Sequence, residues 1–397
     1  MTNPLLSDWT GPFALPPFDA ISDVDFAPAL DVALKAHSEE IAEIANSPEA
    51  PTFANTIEAM EGAGRQLDKV LGVFFNVAGA DSNDTRQQLQ RDFSPRLSAH
   101  FSAITANKAL FARIDTLWQG HDTLDLAPEE ARVLYLTHRG FVRAGAALDG
   151  AEADRMAEIK SRLSVLGTQF TQNLLKDEAD WYMPLSEADL DGLPDFAIDN
   201  ARSAGEALGQ GGPVVTLSRS LITPFLQFSP RRNLREKAWR AWTSRGANGG
   251  ETDNRAIAAE TLALRHERAS LLGYENFARF KLEPEMARKP EAVRDLLMRV
   301  WAPALTQARA DAEALEEMLH ADGHNGPLQP WDWRHYSERR RQALHDFDEA
   351  ALKPYLSLDA MIEAAFDAAG RLFGLAFRPL AATLHHPDAR AWEVTRA

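Results

Sequence analysis

The sequence predicts a mostly α-helical protein with one or two small β hairpins. Apolar residues recur at helical spacing along most of the 397 residues, strong helix formers fill these periodic segments, and segments with strand character are few and short. The apolar content of 45% and the charged content of 25% are typical of a globular chain, so general disorder is excluded.

An extended arm is predicted at the start of the chain, followed by long amphipathic helices. Four prolines fall before Ile21, and proline fixes φ and removes an amide donor, so this arm should lie over the surface. We expect Pro290 to open one long helix and Pro303 to stop or kink it. Helical faces are indicated by Leu30, Leu34, His37, Ile41 and Ile44, by Met156, Ile159, Leu163, Leu166, Phe170 and Leu174, and by Val293, Leu297 and Val300.

Three segments have β propensity: WYMPL at 181–185, PVVTL at 213–217 and RAWEVTR at 390–396. Between the first two we expect a helix opened by a capping pattern of Ser186 and Asp189, then a solvent loop at 203–212. A second loop is expected at 320–327. The last strand has no predicted partner, and a lone strand leaves backbone groups unpaired, so we expect an incomplete domain at this end.

The periodic pattern is interrupted around 149–154, within the segment LDGAEAD at 148–154. This break predicts two domains. Residues 1–150 would form the extended arm plus a helical domain. Residues 151–397 would form a second helical segment that ends in an incomplete entry to a β or catalytic domain.

The composition excludes several classes of protein. With 42 Lys and Arg against 58 Asp and Glu, the net charge is −16, so we expect no nucleic-acid partner. The absence of cysteine excludes a disulfide framework, an Fe–S cluster and a thiolate zinc site. No apolar run reaches the roughly 18 to 20 residues of a membrane span, and the first residues lack a signal-peptide pattern. A soluble, cytoplasmic protein without a membrane partner is expected.

The eleven histidines provide no complete zinc site. An HExxH helix places two histidines on one face beside a glutamate, but His266 and Glu267 are followed by Ser270 at the second histidine position. The pair His385 and His386 has no third ligand at useful spacing, so a solvent loop is favoured there over a metal site. His37 fits a hydrogen-bonded core residue better than a ligand.

Other motifs also favour structural interpretations. The GxSxG, P-loop and GxGxxG patterns are absent. The basic run Arg339, Arg340 and Arg341 is interpreted as a solvated helix face rather than a phosphate contact. Trp331 and Trp333 are expected to fill the joint where the 326–327 loop enters a helix. From the residues alone we assign no catalytic, cofactor-binding or metal residue, which favours a binding or structural module.

Segments along the whole chain nevertheless resemble the M3 family of zinc metallopeptidases, in particular its peptidyl-dipeptidase branch. Eleven similar segments occur in the same order, and together they are specific although none is so alone. They are PPFDAI at 16–21, PTFANTIEAME at 51–61, VFF at 73–75 with SND at 82–84, LFARIDTLWQ at 110–119, FVRAGAA at 141–147, QFTQNLL at 169–175, ASLLGYENFARF at 269–280 with Met286 and Ala287, PWDWRHY at 330–336, LKPYLSLD at 352–359, LFGLAF at 372–377 and HPDARAWEV at 386–394.

The resemblance implies a neurolysin-like fold of helical lobes around a channel for short, unstructured oligopeptides. In that family the zinc helix HExxH lies beyond the HPDxRxWE segment, so the chain resembles the N-terminal portion of such an enzyme without its catalytic zinc region. We therefore expect zinc in the full-length parent, with no ligand in this chain, and no activity of this chain alone. Expected partners are oligopeptide substrates and the missing C-terminal catalytic region. The alternative is a non-catalytic peptide-binding or regulatory protein derived from the same fold.

Overall fold

Helices dominate the computed structural model, which describes residues 3–345 and 355–396. Within those residues, no helix combines the length and the apolar composition needed to cross a membrane. The α-helices are α1 Asp23–Ala45, α2 Ala59–Gly62, α3 Arg65–Ala80, α4 Asp84–Thr105, α5 Lys108–Gln119, α6 Pro128–Ala144, α7 Gly150–Asp180, α8 Asp195–Ala207, α9 Arg219–Phe228, α10 Arg232–Thr243, α11 Arg255–Leu271, α12 Phe277–Leu282, α13 Pro290–Ala321, α14 Pro330–His345 and α15 Leu358–Phe373. Single turns of 3-10 or π helix occur at Pro12–Ala14, Phe53–Glu58, His121–Thr123, Glu187–Asp189 and Gly250–Thr252.

In the part of the chain that the structure describes, four short strands form two antiparallel pairs. Strand β1 (Tyr182–Pro184) pairs with β2 (Val214–Thr216), with Met183 opposite Val215. Strand β3 (Leu375–Leu380) pairs with β4 (Ala391–Arg396), with Phe377 opposite Val394. The prediction of a mostly α-helical chain with one or two small hairpins is confirmed.

The chain divides into two compact units, Met1–Ala153 together with Tyr355–Ala397, and Asp154–Pro354. The division into residues 1–150 and 151–397 that the sequence favours stays a prediction. Each unit buries its own apolar clusters.

In the first unit, α1 is shared by two cores. Its N-terminal half packs against α3 and α4, where the rings of Phe26 and Phe74 meet edge to face with centroids 5.2 Å apart. Its C-terminal half packs against α5 and α6 around Ile41 and Leu110. The separate helix α15 stacks Phe366 on Phe377 of β3, with centroids 4.1 Å apart.

The second unit has three clusters. The sheet β1–β2 packs with α8, α9 and α10 around Met183 and Phe225. Helices α7 and α11 meet at Ile159 and Leu264. The C-terminal part of α13 packs on α14, and this last cluster supports the candidate site described below.

The N-terminal arm is less extended than expected. It turns at Pro12–Ala14, and Leu5 is completely buried in the core of α1, α3 and α4. The Trp9 indole nitrogen donates to the Pro4 carbonyl oxygen at 3.0 Å. Apolar residues between the prolines therefore anchor the arm to the core, which the proline count does not reveal.

The segment between β1 and β2 differs from its prediction in two ways. Ser186 and Asp189 do form a capping box, but it opens a single 3-10 turn, and α8 begins later at Asp195. The solvent loop expected at 203–212 is helical up to Ala207. A Cβ at Gly205 would lie 2.0 Å from the Gly212 carbonyl oxygen, so the close return of the chain requires glycine there.

Two further expectations differ from the structure. Pro303 does not stop α13, which continues to Ala321, because the packing of Leu315 and Leu319 on α14 outweighs one lost backbone hydrogen bond. The alternative, a kink at Pro303, stays a prediction. The strand at the end of the sequence is not alone, because it pairs with β3. The argument from an unpaired strand to an incomplete domain therefore fails. Residues 352–354 of the segment LKPYLSLD lie outside the described residues.

Candidate functional site

An open cavity of about 890 Å³ lies in the second unit, between α10, the C-terminal part of α13 and the start of α14. Helix α10 supplies two tryptophans and α14 a third. The lining residues are Trp239, Trp242, Ala312, Glu316, Pro327, Leu328, Gln329, Pro330, Trp333 and Arg334. We call this space the tryptophan cavity.

The two tryptophans of α10 are three residues apart, so they share one face of the helix. The Arg334 guanidinium lies over the Trp242 ring, 6.0 Å from its centroid. Across the cavity, the Glu316 carboxylate accepts a hydrogen bond of 3.1 Å from the Leu328 backbone N–H. This bond fixes the loop before α14 against α13, so the walls of the cavity are held by the fold.

A buried carboxylate, Asp332, joins α10 to α14 behind the cavity. Arg232 donates to it from Nη2 at 2.7 Å, and the almost fully buried Arg235 donates from Nη2 at 3.0 Å. The Gln329 backbone N–H donates to the same carboxylate at 3.1 Å and is thereby capped at the start of α14. Asp332 therefore sets both the position and the start of the helix that carries Trp333.

Burial raises the pKa of Asp332, but the hydrogen bonds from Arg232 and Arg235 outweigh it and the pKa lies below its ordinary value. The carboxylate is thus charged at neutral pH. Arg235 also donates to the Ser229 and Trp331 carbonyl oxygens, at 2.8 and 3.2 Å. Each nitrogen of the buried guanidinium therefore donates a hydrogen bond, as the low dielectric of an interior requires.

Trp331 and Trp333 have different environments. Trp331 is buried in the first turn of α14, at the joint where sequence analysis expected it, and meets the Trp239 ring edge to face at 5.9 Å. Arg240 lies over the Trp331 ring at 4.9 Å. Trp333 is 38% exposed and lines the tryptophan cavity, so it does not fill the joint. Trp333 is therefore free to contact a ligand.

Two titratable residues of α14 have strongly shifted pKa values. Burial, and then the charge of Arg235, lowers the pKa of His335 to about 4. Its Nδ1 donates to the Gln227 carbonyl oxygen at 3.2 Å. Burial, and then the hydrogen bond to Asp322, raises the pKa of Tyr336 to about 12. Both side chains are buried and hydrogen-bonded, and neither lines the tryptophan cavity, so neither serves as a general base for it.

The arrangement is suited to binding. Three indole faces, one guanidinium and one carboxylate can hold apolar, aromatic or cationic side chains of a ligand. Among the described residues that line the cavity, no nucleophilic side chain occurs together with a general base. The cavity therefore supports recognition rather than bond cleavage.

The basic run on α14 is not the freely solvated face that the sequence favours. Arg339 pairs with Asp322, Arg340 Nη1 lies 2.9 Å from Asp311 Oδ1, and Arg341 Nη2 lies 2.7 Å from Glu338 Oε1. Each guanidinium is half-buried against a carboxylate. The run therefore joins α13 to α14 and stabilises α14, and it offers no phosphate site.

The incomplete zinc motif on α11 has a structural role. Glu267 accepts two hydrogen bonds from Arg155 of α7, at 2.6 and 2.9 Å, and Ser270 donates to the His266 carbonyl oxygen. The two bonds from Arg155 join α7 to α11 and occupy the carboxylate that a zinc site would need as a base.

The remaining histidine candidates form no metal centre. The His385 ring meets the Phe18 ring edge to face at 5.9 Å, and His386 accepts from the Asp388 backbone N–H at 3.1 Å. His37 is hydrogen-bonded as expected, to His100 at 3.0 Å, but it is only half-buried. Burial, and then the neighbouring His37, lowers the pKa of His100.

Across residues 3–345 and 355–396, no three His, Cys, Asp or Glu side chains are grouped so that they could hold a metal ion. A structural zinc site needs four ligands, and a catalytic one usually needs three from the protein. The residues described here therefore offer no site for the zinc that the resemblance implies for the full-length parent.

Sequence reasoning missed the tryptophan cavity and the carboxylate behind it. The sequence does contain the residues of both features, but each pattern is confined to one segment of the chain. Trp239 and Trp242 share a helix face, and so do Arg232 and Arg235, which face Asp332 about 100 residues later in the chain. That pairing between distant segments cannot be read from spacing.

Comparison with known proteins gives a consistent family. Residues 225–397 match the sequence profile of peptidase family M3. The chain is 33% identical over 396 residues to dipeptidyl carboxypeptidase of Escherichia coli K12, and 30% identical over 404 residues to oligopeptidase A of the same organism. Each match covers 99% of this chain and 58% of the relative. Saccharolysin of Saccharomyces cerevisiae is 23% identical over 343 residues, which cover 83% of this chain and 47% of that protein.

The chain thus spans about three-fifths of the length of these two E. coli relatives. The similarity to them extends over nearly all of its residues and includes both units. Residues 225–397 thus match peptidase family M3, and nearly the whole chain is similar to proteins with these peptidase names.

Proposed function

We propose that the chain is part of a zinc-dependent oligopeptidase that hydrolyses short, unstructured peptides and releases C-terminal dipeptides. The single observation that carries this proposal is the 33% identity, over 99% of the chain, to a protein named dipeptidyl carboxypeptidase. The identity to oligopeptidase A is lower, at 30% over a similar span, which favours dipeptide release over internal cleavage. The absence of cysteine from the sequence fits action in the reducing cytoplasm.

Within this proposal, the chain supplies peptide-binding walls and the zinc ligands belong to a region outside these residues. The sequence contains no HExxH, and the described residues hold no group suited to a metal. The chain alone is therefore proposed to be inactive. Zinc bound elsewhere in the enzyme would supply an activated water for attack on the peptide carbonyl.

An activity assay tests this proposal. The 397-residue chain is incubated with an unstructured hexapeptide, with and without added zinc, and dipeptide products are followed by mass spectrometry. We expect no dipeptide from the chain alone. After co-expression with the part of E. coli dipeptidyl carboxypeptidase that lies outside the match, we expect dipeptide release that a chelator abolishes. Zinc-dependent release by the chain alone would contradict its inactivity, and an inactive reconstituted enzyme would contradict the peptidase assignment.

A second candidate function is a non-catalytic peptide-binding or regulatory protein derived from the same fold. The tryptophan cavity favours it, because its walls lie wholly within the second unit and are held by Asp332 and Glu316. On this hypothesis the chain binds peptides by itself, without any further region.

Peptide titration followed by tryptophan fluorescence tests the cavity under either function. Replacing Trp333 by Ala removes an exposed indole face, and we expect the dissociation constant for an unstructured peptide to rise about tenfold, since an aromatic contact of this kind contributes about 1–2 kcal/mol. Phe170→Ala on α7 is the matched control, because Phe170 is also 38% exposed and lies outside the cavity lining. Equal affinities of Trp333→Ala and the unaltered chain would exclude the cavity as the peptide site.

A further inference from the structure

Helix α13 has an apolar stripe on one face, of which only one half is covered. At 100° per residue, Val293, Leu297, Val300 and Trp301 lie on the same face as Leu315 and Leu319. Leu315 and Leu319 are fully buried against Tyr336 of α14. The N-terminal half of the stripe therefore continues a surface that the fold already uses as core.

The N-terminal half is exposed to solvent. Leu297, Val300 and Trp301 are 61%, 57% and 60% exposed, and the flanking Leu296 and Met298 are 54% and 52% exposed. The stripe from Val293 to Ala308 is about 22 Å long, given a rise of 1.5 Å per residue. Isolated exposed apolar residues are ordinary, but a contiguous stripe that contains Leu, Val and Trp marks an interaction surface.

We propose that this stripe is the docking surface for the region of the M3 peptidase polypeptide that the relatives have and that this chain does not match. The inference rests on the proposed function, because it takes the chain as part of a longer enzyme. About two-fifths of the length of the E. coli relatives lies outside the match. The matched family profile spans residues 225–397, so α13 lies inside the part that carries the family resemblance.

The relatives favour this occupant over a second copy of the chain, because about two-fifths of their length lies outside the match. The exposed stripe runs directly into the seam between α13 and α14, so its partner must extend that seam along the same helix. A region of the same enzyme that packs there would complete a core begun by Leu315 and Leu319. An amphipathic helix of that region could bury the stripe by ordinary helix–helix packing.

Co-expression tests the docking. The chain is produced together with a tagged polypeptide that comprises the unmatched part of E. coli dipeptidyl carboxypeptidase, so that neither part has to fold alone. The chain is expected to co-purify with the tagged part. The variants Leu297→Glu and Trp301→Glu are expected to lower the recovered amount at least tenfold, because each places a charge in the apolar contact.

The matched control is Thr306→Glu. Thr306 is exposed on the opposite face of α13, so this variant adds the same charge to the same helix without touching the stripe. It is expected to co-purify like the unaltered chain. Because Leu297 and Trp301 are exposed, their variants should keep the melting temperature of the chain alone.

Three results would overturn the proposal. They are failure of the unaltered chain to co-purify, equal recovery of the stripe variants and Thr306→Glu, and a stable dimer of the chain alone that Leu297→Glu makes monomeric. Peptidase activity is a separate readout. Co-purification without dipeptide release supports the docking and contradicts the proposed function. Dipeptide release that the stripe variants leave unchanged supports the proposed function and contradicts the docking.

Discussion

Helices α3 and α15 are both 16 residues long and both strongly amphipathic, yet they differ completely in burial. Helix α3 buries Leu67, Val70, Val73, Phe74, Val77 and Ala78 against α1 and α4. Helix α15 has no buried residue, and it leaves Leu372 and Phe373 74% and 59% exposed. An apolar face on a helix thus predicts that another element should pack on it, but the sequence pattern does not identify that element.

The same contrast occurs within the single helix α13. Its C-terminal half is closed by α14, and its N-terminal half is open. In both cases the closed region should contribute to the stability of the chain, whereas the open region should contribute little until a partner is present. The following predictions test that difference, beginning with the largest expected effect.

Phe74→Ala and Phe373→Ala compare the closed and the open helix directly. Phe74 is completely buried and contacts two other phenylalanine rings of the core, so its loss should lower the free energy of unfolding by about 3–5 kcal/mol. Phe373 is mostly exposed, and its loss should change that free energy by less than about 0.5 kcal/mol. Urea denaturation followed by circular dichroism measures both values. Similar losses for the two variants would mean that α15 is covered in solution.

Asp332→Ala and Asp311→Ala compare a buried with a half-exposed carboxylate in the second unit. Without Asp332, Arg232 loses its partner and the buried Arg235 keeps an uncompensated charge, so we expect a loss of about 3–5 kcal/mol in the free energy of unfolding. Asp311 pairs with the partly exposed Arg340, and its loss should cost less than about 1 kcal/mol. The same denaturation experiment applies. A small effect of Asp332→Ala would show that it does not hold α14 to α10.

The pH dependence of stability sharpens the account of the closed region. The pKa of His335 is lowered to about 4 in the folded chain, from about 6.5 when unfolded, so protonation favours the unfolded chain. The contribution of neutral His335 to the free energy of unfolding is complete above pH 6.5 and is lost as the pH falls toward 4. We expect the free energy of unfolding to decrease by about 2–3 kcal/mol over that range.

His335→Gln is the control for this titration. Its amide keeps an N–H donor for the Gln227 carbonyl oxygen and does not titrate. The difference between the two chains isolates His335, because His100, whose pKa is also lowered, titrates in both. Parallel pH profiles of the two chains would contradict a neutral, buried His335.

Local patterns predicted the elements that depend on local interactions. The faces at Leu30 to Ile44 and at Met156 to Leu174 became α1 and α7, and two of the three β segments paired with each other. The third paired with β3, whose sequence LAFRPL contains a proline and follows a helix directly, so its strand character was hidden. A stop at Pro303 was wrong, because contacts of α13 with α14 decide where that helix ends.

The candidate site could not be predicted in the same way. The tryptophan cavity needs α10, α13 and α14 to meet, and its support needs Asp332 to find Arg232 and Arg235 about 100 residues away. Such encounters depend on tertiary packing, which spacing along the chain does not encode. The segment PWDWRHY at 330–336 contributed to the family resemblance, but the roles of its individual residues are seen only in their contacts.

Hydrogen–deuterium exchange along α13 tests the central claim most directly. In the chain alone, amides of residues 293–308 are predicted to exchange much faster than those of residues 313–320, because only the latter part of the helix is packed. In the complex with the unmatched part of the E. coli relative, the first group should become at least tenfold slower while the second changes little. Equal protection of both groups in the chain alone, or an unchanged first group in the complex, would contradict the account.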